Sequence, residues 1–194
     1  MSTDKRLIAA ATALLDLGGN EAVTLRAVAQ ASGVSHNAPY KHFENRDALL
    51  TAVATADFAR LKKSFEAARR SSERPDKKLM RALRVMIEFS HKHRARYELL
   101  FNTPSIAKAT GDLKETARGA FAEFVQIVSE CQAVGTLPDV AGSTVASLLF
   151  ATMHGLIAIE SVGGMHPEKG LNGTESSMRV MLELISPKKS KRYR

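Results

Sequence analysis

The sequence has very little cysteine: Cys131 is the only one in 194 residues. A single thiol cannot form an internal disulfide, so the sequence fits a reducing compartment, and we expect a cytoplasmic protein. The N-terminus leads into an amphipathic Ala/Leu segment, and we find no secretory signal and no apolar segment long enough to span a bilayer. We therefore expect no membrane partner.

Catalytic motifs are lacking as well. The sequence contains no paired carboxylates, no glycine-rich phosphate loop, no nucleophile–base motif and no metal-spaced cluster. His91 and His93 are two positions apart, so on a helix they point to different faces and make a poor metal pair. We predict that the protein is not an enzyme and that it holds neither a metal nor another cofactor.

Excess positive charge is absent from the N-terminal part of the chain. The formal net charge is +8, but residues 1–49 hold five Lys/Arg and five Asp/Glu, which cancel. Most of the excess lies in residues 50–100, with 13 basic and 6 acidic residues. Net charge alone favours an anionic partner only weakly. A nucleic-acid contact near the N-terminus must therefore depend on a few placed side chains.

No strand pattern and no internal repeat occur, whereas apolar residues recur at helical spacing. We predict an all-α protein of about nine helices. The N-terminal three-helix domain should cover residues 1–45, a larger helical domain 46–186, and a basic tail 187–194. The predicted helices cover about 3–17, 25–32, 36–43, 46–70, 76–93, 96–101, 112–133, 140–162 and 174–185.

Residues 23–53 carry the most specific local pattern. Thr24 can cap a helix, because its hydroxyl can accept a free backbone N–H of the first turn. Gly33 can end that helix, since the residue past the last turn often takes a positive φ. Ser35 can cap the next helix two residues later. Two helices joined by so short a turn are typical of a helix-turn-helix, whose second helix can enter a DNA major groove.

The predicted helix over 140–162 is apolar almost all round, and the helix over 174–185 has two apolar faces. A helix that is apolar all round must be buried on all sides. One side can be covered by its own domain and the other by a second subunit. We therefore predict a homodimer through these two helices, which also suits a protein that reads two successive major grooves.

The order of residues in 24–50 resembles the TetR family of bacterial transcriptional regulators. The matching residues are Thr24-Leu25-Arg26-Ala27-Val28-Ala29, Gly33-Val34-Ser35, Tyr40-Lys41-His42-Phe43 and Asn45-Arg46-Asp47-Ala48-Leu49-Leu50. Later, Met153-His154-Gly155 resembles a subgroup with Trp-His-Gly, with Met153 in place of Trp. The resemblance implies a helix-turn-helix domain followed by a ligand-binding and dimerisation domain. It also implies a dimeric repressor that binds a palindromic double-stranded operator and is released by a small effector.

The predicted DNA-binding residues all lie in or beside the helix-turn-helix. They are Thr24, Arg26, Ser35, His36, Asn37, Ala38, Tyr40, Lys41, His42 and Arg46. The resemblance gives Tyr40 a phosphate contact and His42 a contact to the DNA backbone, although either could instead pack against a neighbouring helix. His36 and Asn37 lead the recognition helix, where side chains reach base edges and Asn can pair with adenine.

The remaining predicted contacts are to the DNA backbone or to base methyls. Lys41 and Arg46 suit phosphate because both are cations, but either could be plain surface charge. Arg26 should reach phosphate or the groove edge, and Thr24 can add a phosphate contact besides its capping role. Ala38 is small enough for close approach or for a thymine-methyl contact.

A second predicted site is an apolar pocket for a small apolar or amphipathic effector. Its predicted lining residues are Met86, Phe89, Phe101, Phe121, Phe124, Phe150 and His154. A Met/Phe stripe at helical spacing is also typical of plain core, and His154 could be a core histidine or lie at the dimer seam. Cys131 fits a buried apolar filler, or a redox sensor without a second thiol. The alternative function is an effector-independent architectural DNA-binding protein, which would have a collapsed core here.

Overall fold

The computed structural model describes residues 2–187, and all regular structure in that range is helical. This confirms the predicted all-α fold. The helices are α1 (Thr3–Ala22), α2 (Leu25–Ser32), α3 (Ala38–His42), α4 (Arg46–Arg70), α5 (Pro75–Lys92), α6 (Arg94–Asn102), α7 (Pro104–Ala107), α8 (Gly111–Ala133), α9 (Gly142–Ser161) and α10 (Thr174–Ile185). Where the sequence indicates only a turn over 105–110, the structure has α7, a single helical turn in which Pro104 occupies the start, where its missing N–H costs nothing.

The described chain forms two compact units. The first comprises residues up to Lys62 together with Phe89–Gly119, and the second comprises Lys63–Glu88 together with residues from Ala120 onward. The predicted domains 1–45 and 46–186 stay a prediction. Apart from Pro187, the predicted basic tail lies outside the described residues.

The first helix is longer than predicted. Leu7, Ala11 and Leu15 lie on one face and are fully buried, as an amphipathic core helix requires. Helical backbone stops at a kink at Gly19, close to the predicted end near residue 17, and then resumes and continues to Ala22. Gly19 has φ 69°, a conformation that glycine adopts without a Cβ penalty, so the kink interrupts the helix without ending it.

Capping in α2 agrees with the prediction. The Thr24 hydroxyl accepts the Ala27 N–H at 3.1 Å. Gly33 follows the helix with φ 65°, and its N–H donates back to the carbonyls of Ala29 and Gln30. These two caps fix where the turn before α3 begins.

The recognition helix α3 is shorter than the predicted 36–43. A helix beginning at His36 would need the Pro39 nitrogen to donate to the Ser35 carbonyl, and proline has no N–H. The Ala38 N–H donates to that carbonyl instead, at 2.9 Å, and closes a turn. As a result Asn37, and not Ser35, is the residue before the helix.

The second unit has a core of large apolar side chains from several helices. The fully buried ones include Met86, Phe124, Leu149, Met153 and Met178. Met153, which stands where the resembled subgroup has Trp, is therefore a core residue here.

Helix α9 is buried along only one face. Val145, Leu149 and Met153 lie on that face, whereas Leu148 is 61% exposed. Helix α9 is also long and apolar enough to cross a membrane by length and composition, although only 33% of its most apolar window is buried. The expectation that no segment is long enough to span a bilayer is therefore wrong. One such helix is weak evidence for a membrane span, and its open apolar face has to be explained by what covers it.

Candidate functional site

Helix α3 has a single buried residue, and most of its other side chains are exposed to solvent. Pro39 is buried, while Tyr40, Lys41 and His42 are exposed. Tyr40 is 57% exposed, so its hydroxyl is accessible to a ligand outside the protein. Ala38 is half-buried at the start of the helix.

The residues that precede α3 share this exposed surface. Thr24, Arg26, Ser35, His36 and Asn37 are all exposed. Together with Ala38, Tyr40, Lys41 and His42 they place nine of the ten predicted DNA-binding residues in α2, α3 and the segments that border them. Their contacts with DNA stay a prediction.

Helix α2 fixes the orientation of α3. Leu25, Val28 and Ala29 are buried, and α2 packs against both α1 and α3. On the other side, the Arg6 guanidinium donates to the Ser32 carbonyl at 2.6 Å. A cation at the C-terminal end of a helix is favourable because the last carbonyls there lack intrahelical partners. The sequence did not indicate this contact, because the two residues are 26 positions apart.

Arg46 connects the start of α4 to the last turn of α1 and to the segment between α1 and α2. Its Nε donates to the Val23 carbonyl at 2.6 Å, and its Nη2 donates to Asn20 Oδ1 at 2.9 Å and also to the Asn20 carbonyl. Asn45 caps α4 as predicted, since its Oδ1 accepts the Ala48 N–H at 2.8 Å. Arg46 therefore positions the helix-turn-helix, and its predicted phosphate contact would have to be made alongside these bonds.

A buried ion pair joins α4 to α6 within the first unit. Arg96 is 6% exposed, and Asp57 is fully buried. The Arg96 Nε donates to Asp57 Oδ2 at 2.8 Å, and Nη2 donates to Asp57 Oδ1. Burial lowers the pKa of the Arg96 guanidinium, but the hydrogen bonds and charges of Asp57 and Asp16 outweigh it and raise the pKa overall. The Arg96 guanidinium therefore stays charged.

The same arginine reaches helix α1. Its Nη1 lies 3.2 Å from Asp16 Oδ2, which is also 3.1 Å from His93 Nδ1. The Arg96 guanidinium lies over the Phe89 ring at 5.3 Å from the centroid, within cation–π range. We call Asp16, Asp57 and Arg96 the α1–α4–α6 ion network. Asp57 Oδ1 also accepts a hydrogen bond from Arg60 Nη1 at 2.7 Å, at the exposed edge of this network. The sequence carried one signal for it: Asp57 is a carboxylate in the apolar stripe of α4.

Four of the seven predicted effector residues form one aromatic cluster in the second unit. The Phe150 ring lies 5.6 Å from Phe121, 6.1 Å from Phe124 and 4.3 Å from His154, measured between centroids. Burial lowers the pKa of His154 to about 4, so the imidazole is neutral at pH 7. Met86 is buried in the same unit.

The other two predicted effector residues lie in the first unit. Phe101 contacts Phe58 and Tyr97, with ring centroids 5.7 Å and 5.1 Å away, and Phe89 lies under Arg96. Burial raises the pKa of the Tyr97 hydroxyl above its usual value, so that it remains a neutral phenol. The predicted set is therefore divided between the units, and its role in binding stays a prediction.

Two clefts of ligand size open elsewhere. The first-unit cleft has a volume of about 430 Å³. It is lined by Phe58, Leu100, Ile106, Ala107, Lys108, Ala109, Thr110, Leu113, Lys114, Ala117 and Arg118. The second-unit cleft has a volume of about 290 Å³. It is lined by Asp76, Lys77, Leu79, Met80, Cys131, Thr136, Leu137, Arg179, Leu182, Glu183 and Ser186. None of the seven predicted effector residues lines either cleft.

Cys131 borders the second-unit cleft but is fully buried. Burial raises the pKa of its thiol to about 11, which keeps it protonated and unreactive at neutral pH. These properties favour the interpretation of Cys131 as an apolar filler. Within residues 2–187, no group of three or more His, Cys, Asp or Glu side chains is placed to hold a metal ion.

A short exposed helix, set by a capped helix and a tight glycine turn, defines a helix-turn-helix DNA-binding protein. Two family models match the chain: bacterial regulatory proteins of the tetR family over residues 7–53, and the tetracyclin repressor-like C-terminal domain over residues 79–184. The chain belongs to the TetR family of transcriptional regulators. Members of this family are in general cytoplasmic DNA-binding regulators and not enzymes, which agrees with the predictions at that level.

Solved structures extend the similarity to nearly the whole chain. A protein of unknown function from Rhodococcus sp. RHA1 is 28% identical, with a TM-score of 0.79 and coverage of 95% of this chain and 94% of that one. FadR of Thermus thermophilus, a TetR-family repressor in complex with lauroyl-CoA, is 17% identical, with a TM-score of 0.63 and coverage of 94% and 92%. RolR in complex with resorcinol is 16% identical, with a TM-score of 0.67 and coverage of 94% and 87%. No curated protein sequence matches the chain.

Proposed function

We propose that the protein is a cytoplasmic, ligand-responsive repressor that binds a palindromic operator as a homodimer and is released by a small-molecule effector. The observation that carries this proposal is the exposed surface of α3 on a helix-turn-helix whose neighbouring helices are fixed by buried contacts. Pro39 anchors the helix, so Tyr40 and Lys41 on its open side can meet phosphate while Asn37 meets base edges.

The open apolar surface of α9 and α10 supports the homodimer. Leu148 and Val162 of the α9 segment are 61% and 79% exposed, and Val180 and Leu184 of α10 are 53% and 77% exposed. Helices α9 and α10 pack against each other, so these side chains lie on adjoining elements. Large exposed apolar groups concentrated on two packed helices are typical of a subunit interface.

Effector control is supported by the open clefts and by the α1–α4–α6 ion network. Two structural neighbours bind lauroyl-CoA and resorcinol, which are chemically very different, so the fold alone does not define the effector. A ligand that displaces α4 or α6 would disturb Asp57 or Arg96, and through Asp16 it would move α1 beneath the helix-turn-helix. Release from DNA then follows if the DNA-bound arrangement requires the intact network.

A gel-shift titration against DNA from upstream of the protein's own gene tests the DNA-binding proposal. We expect a specific complex that the double variant His36→Ala/Asn37→Ala loses and that His166→Ala/Asn172→Ala, with the same composition change outside the surface, retains. A clean dimer that binds none of the candidate intergenic DNA at low salt would refute the proposal.

The alternative is an architectural DNA-binding protein without an effector. It predicts DNA binding with little sequence preference and no small molecule that weakens it. A screen of small organic anions, cations and neutral compounds against the operator complex distinguishes the two, because only a ligand-responsive repressor should be released by one class and not by the others.

A further inference from the structure

We propose that the first-unit cleft is a binding site for a hydrophobic carboxylate, whose apolar body lies on Phe58, Leu100 and Leu113 and whose carboxylate meets Lys108, Lys114 and Arg118. The proposal names the ligand class of an effector site and so deepens the proposed function. Binding itself is testable without DNA.

The floor of the cleft is apolar and well ordered by packing. Leu100 is 4% exposed, Ile106 is 7% exposed and Leu113 is 2% exposed, so each side chain is fixed by the core behind it. Phe58 adds an aromatic wall and is itself held edge-on by Phe101, with centroids 5.7 Å apart. A volume of about 430 Å³ lies within the range of roughly 300–1,000 Å³ that small organic ligands occupy.

The rim of the cleft carries charge of one sign. Lys108, Lys114 and Arg118 line it, and no acidic side chain does. None of the three cations has an ion-pair partner among residues 2–187. Lys114 and Arg118 are four residues apart on α8, so they project from the same side of the helix and repel each other. An anion placed between them removes that repulsion and supplies the missing partner.

The combination of floor and rim selects the ligand class. A cation would be repelled by three positive groups, and a wholly apolar molecule would leave them without a partner. A small inorganic anion would satisfy the rim but leave the floor open. Only a molecule with an apolar body and one anionic end matches both parts of the cleft, which is the usual arrangement of few polar groups on an apolar pocket.

The second-unit cleft provides an internal contrast. Its charged lining residues are Asp76, Lys77, Arg179 and Glu183, two of each sign. Such a lining has no net preference for an anion over a cation. The single-sign rim is therefore a property of the first-unit cleft and does not follow from the chain's overall positive charge.

Isothermal titration calorimetry on the full-length protein at low salt tests the proposal. The probes are decanoate and 2-naphthoate, which separate an aliphatic from an aromatic body, with 1-decanol and decylamine as neutral and cationic counterparts of the first. We expect at least one carboxylate to bind more than about tenfold more tightly than decanol, the loss expected when a charge-assisted contact is missing. Decylamine should not bind. Tighter binding of either carboxylate than of decanol supports the proposal.

The matched variants localise the binding. Lys108→Gln/Lys114→Gln/Arg118→Gln should weaken carboxylate binding more than about tenfold, whereas Lys63→Gln/Arg70→Gln/Lys169→Gln, with the same loss of charge at exposed positions outside the cleft, should not. Thermal melts check that both variants fold. As a second test of the floor, Ala117→Leu should weaken binding by filling the cleft.

Three results would overturn the proposal: no binding of either carboxylate at millimolar concentration, equal binding of decanol, or equal losses in the two triple variants. Operator release is measured separately. A carboxylate that binds in the cleft but leaves DNA affinity unchanged supports the site and refutes its role as effector. Failure to bind any DNA refutes the proposed function and leaves the calorimetric result standing.

Discussion

At the scale of single residues, the buried Asp57–Arg96 pair has the largest energetic consequence. Both groups are almost completely removed from solvent, so Arg96 depends on its carboxylate partners, and Asp57 depends on Arg96 and on the exposed Arg60. The pair also contacts Asp16, which ties one arginine to α1 and α4 at the same time. Loss of the pair should therefore affect the packing of α1, α4 and α6 together.

We predict that Arg96→Met destabilises the protein by about 3 kcal/mol, because it leaves the buried Asp57 carboxylate with only the exposed Arg60, whose Nη1 lies 2.7 Å from Oδ1. Chemical denaturation at pH 7 measures the change. Arg94→Gln, an exposed arginine on the same helix, is the control and should change little. The double variant Asp57→Leu/Arg96→Met should recover much of the loss, and a double variant as unstable as the single one would contradict this explanation.

Tyr40 offers a test that separates recognition from packing. Its side chain is 57% exposed, so removing the hydroxyl in Tyr40→Phe should leave the melting temperature nearly unchanged. Operator affinity should fall by roughly three- to tenfold per contact if that hydroxyl donates to phosphate. A lower melting temperature with unchanged affinity would instead show that Tyr40 is a packing residue.

His154 makes a prediction about pH. Its pKa is lowered by burial from 6.5 to about 4, so between these values the unfolded chain binds a proton that the folded one does not. The contribution of His154 to the free energy of unfolding is therefore fully present above pH 6.5 and is lost as the pH falls toward 4. We expect wild type to lose about 1–2 kcal/mol more than His154→Gln between pH 7 and pH 5, by denaturation at both values. Equal losses of stability in wild type and in His154→Gln would contradict this prediction.

At the scale of helices, local sequence signals predicted the elements that depend on local chemistry. The bounds of α2 and α10 agree with the prediction, because Thr24 and Gly33 cap α2 and a glycine-containing break precedes α10. The error in α3 has a local cause too, the missing N–H of Pro39. By contrast, the Asp57–Arg96 pair and the first-unit cleft join residues from distant parts of the chain, and no periodicity or spacing predicts which of them meet.

The exposed leucines of α9 and α10 provide a test of the proposed dimer. We predict that Leu148→Glu or Leu184→Glu converts the dimer to a monomer, because burying a carboxylate in an apolar interface costs several kcal/mol. Sedimentation equilibrium measures the change in mass. Leu17→Glu is the matched control: Leu17 is 86% exposed in α1, and its substitution should leave the dimer intact. Dimers that persist in both variants would place the interface elsewhere.

At the scale of the whole molecule, the placement of charge predicts how DNA binding responds to salt. Residues 1–49 have no net charge, so binding should depend on a few placed phosphate contacts and not on a basic surface. The slope of log affinity against log salt should therefore be small for a dimer. Lys41→Gln should reduce the magnitude of this slope by about two, because one phosphate contact is lost in each subunit. Lys63→Gln should leave the slope unchanged. A steep slope unaffected by Lys41→Gln would contradict this account.

The shortness of α3 has a consequence for the operator itself. A recognition helix of five residues, Ala38–His42, can bring only a few side chains to base edges, so each half-site conveys little sequence information. In the proposed dimer, discrimination among the many sites of a genome must then draw on the distance between half-sites, which two joined subunits measure in turns of the double helix. Inserting half a turn of DNA at the centre of the proposed palindromic operator should therefore abolish tight binding while leaving every contacted base unchanged.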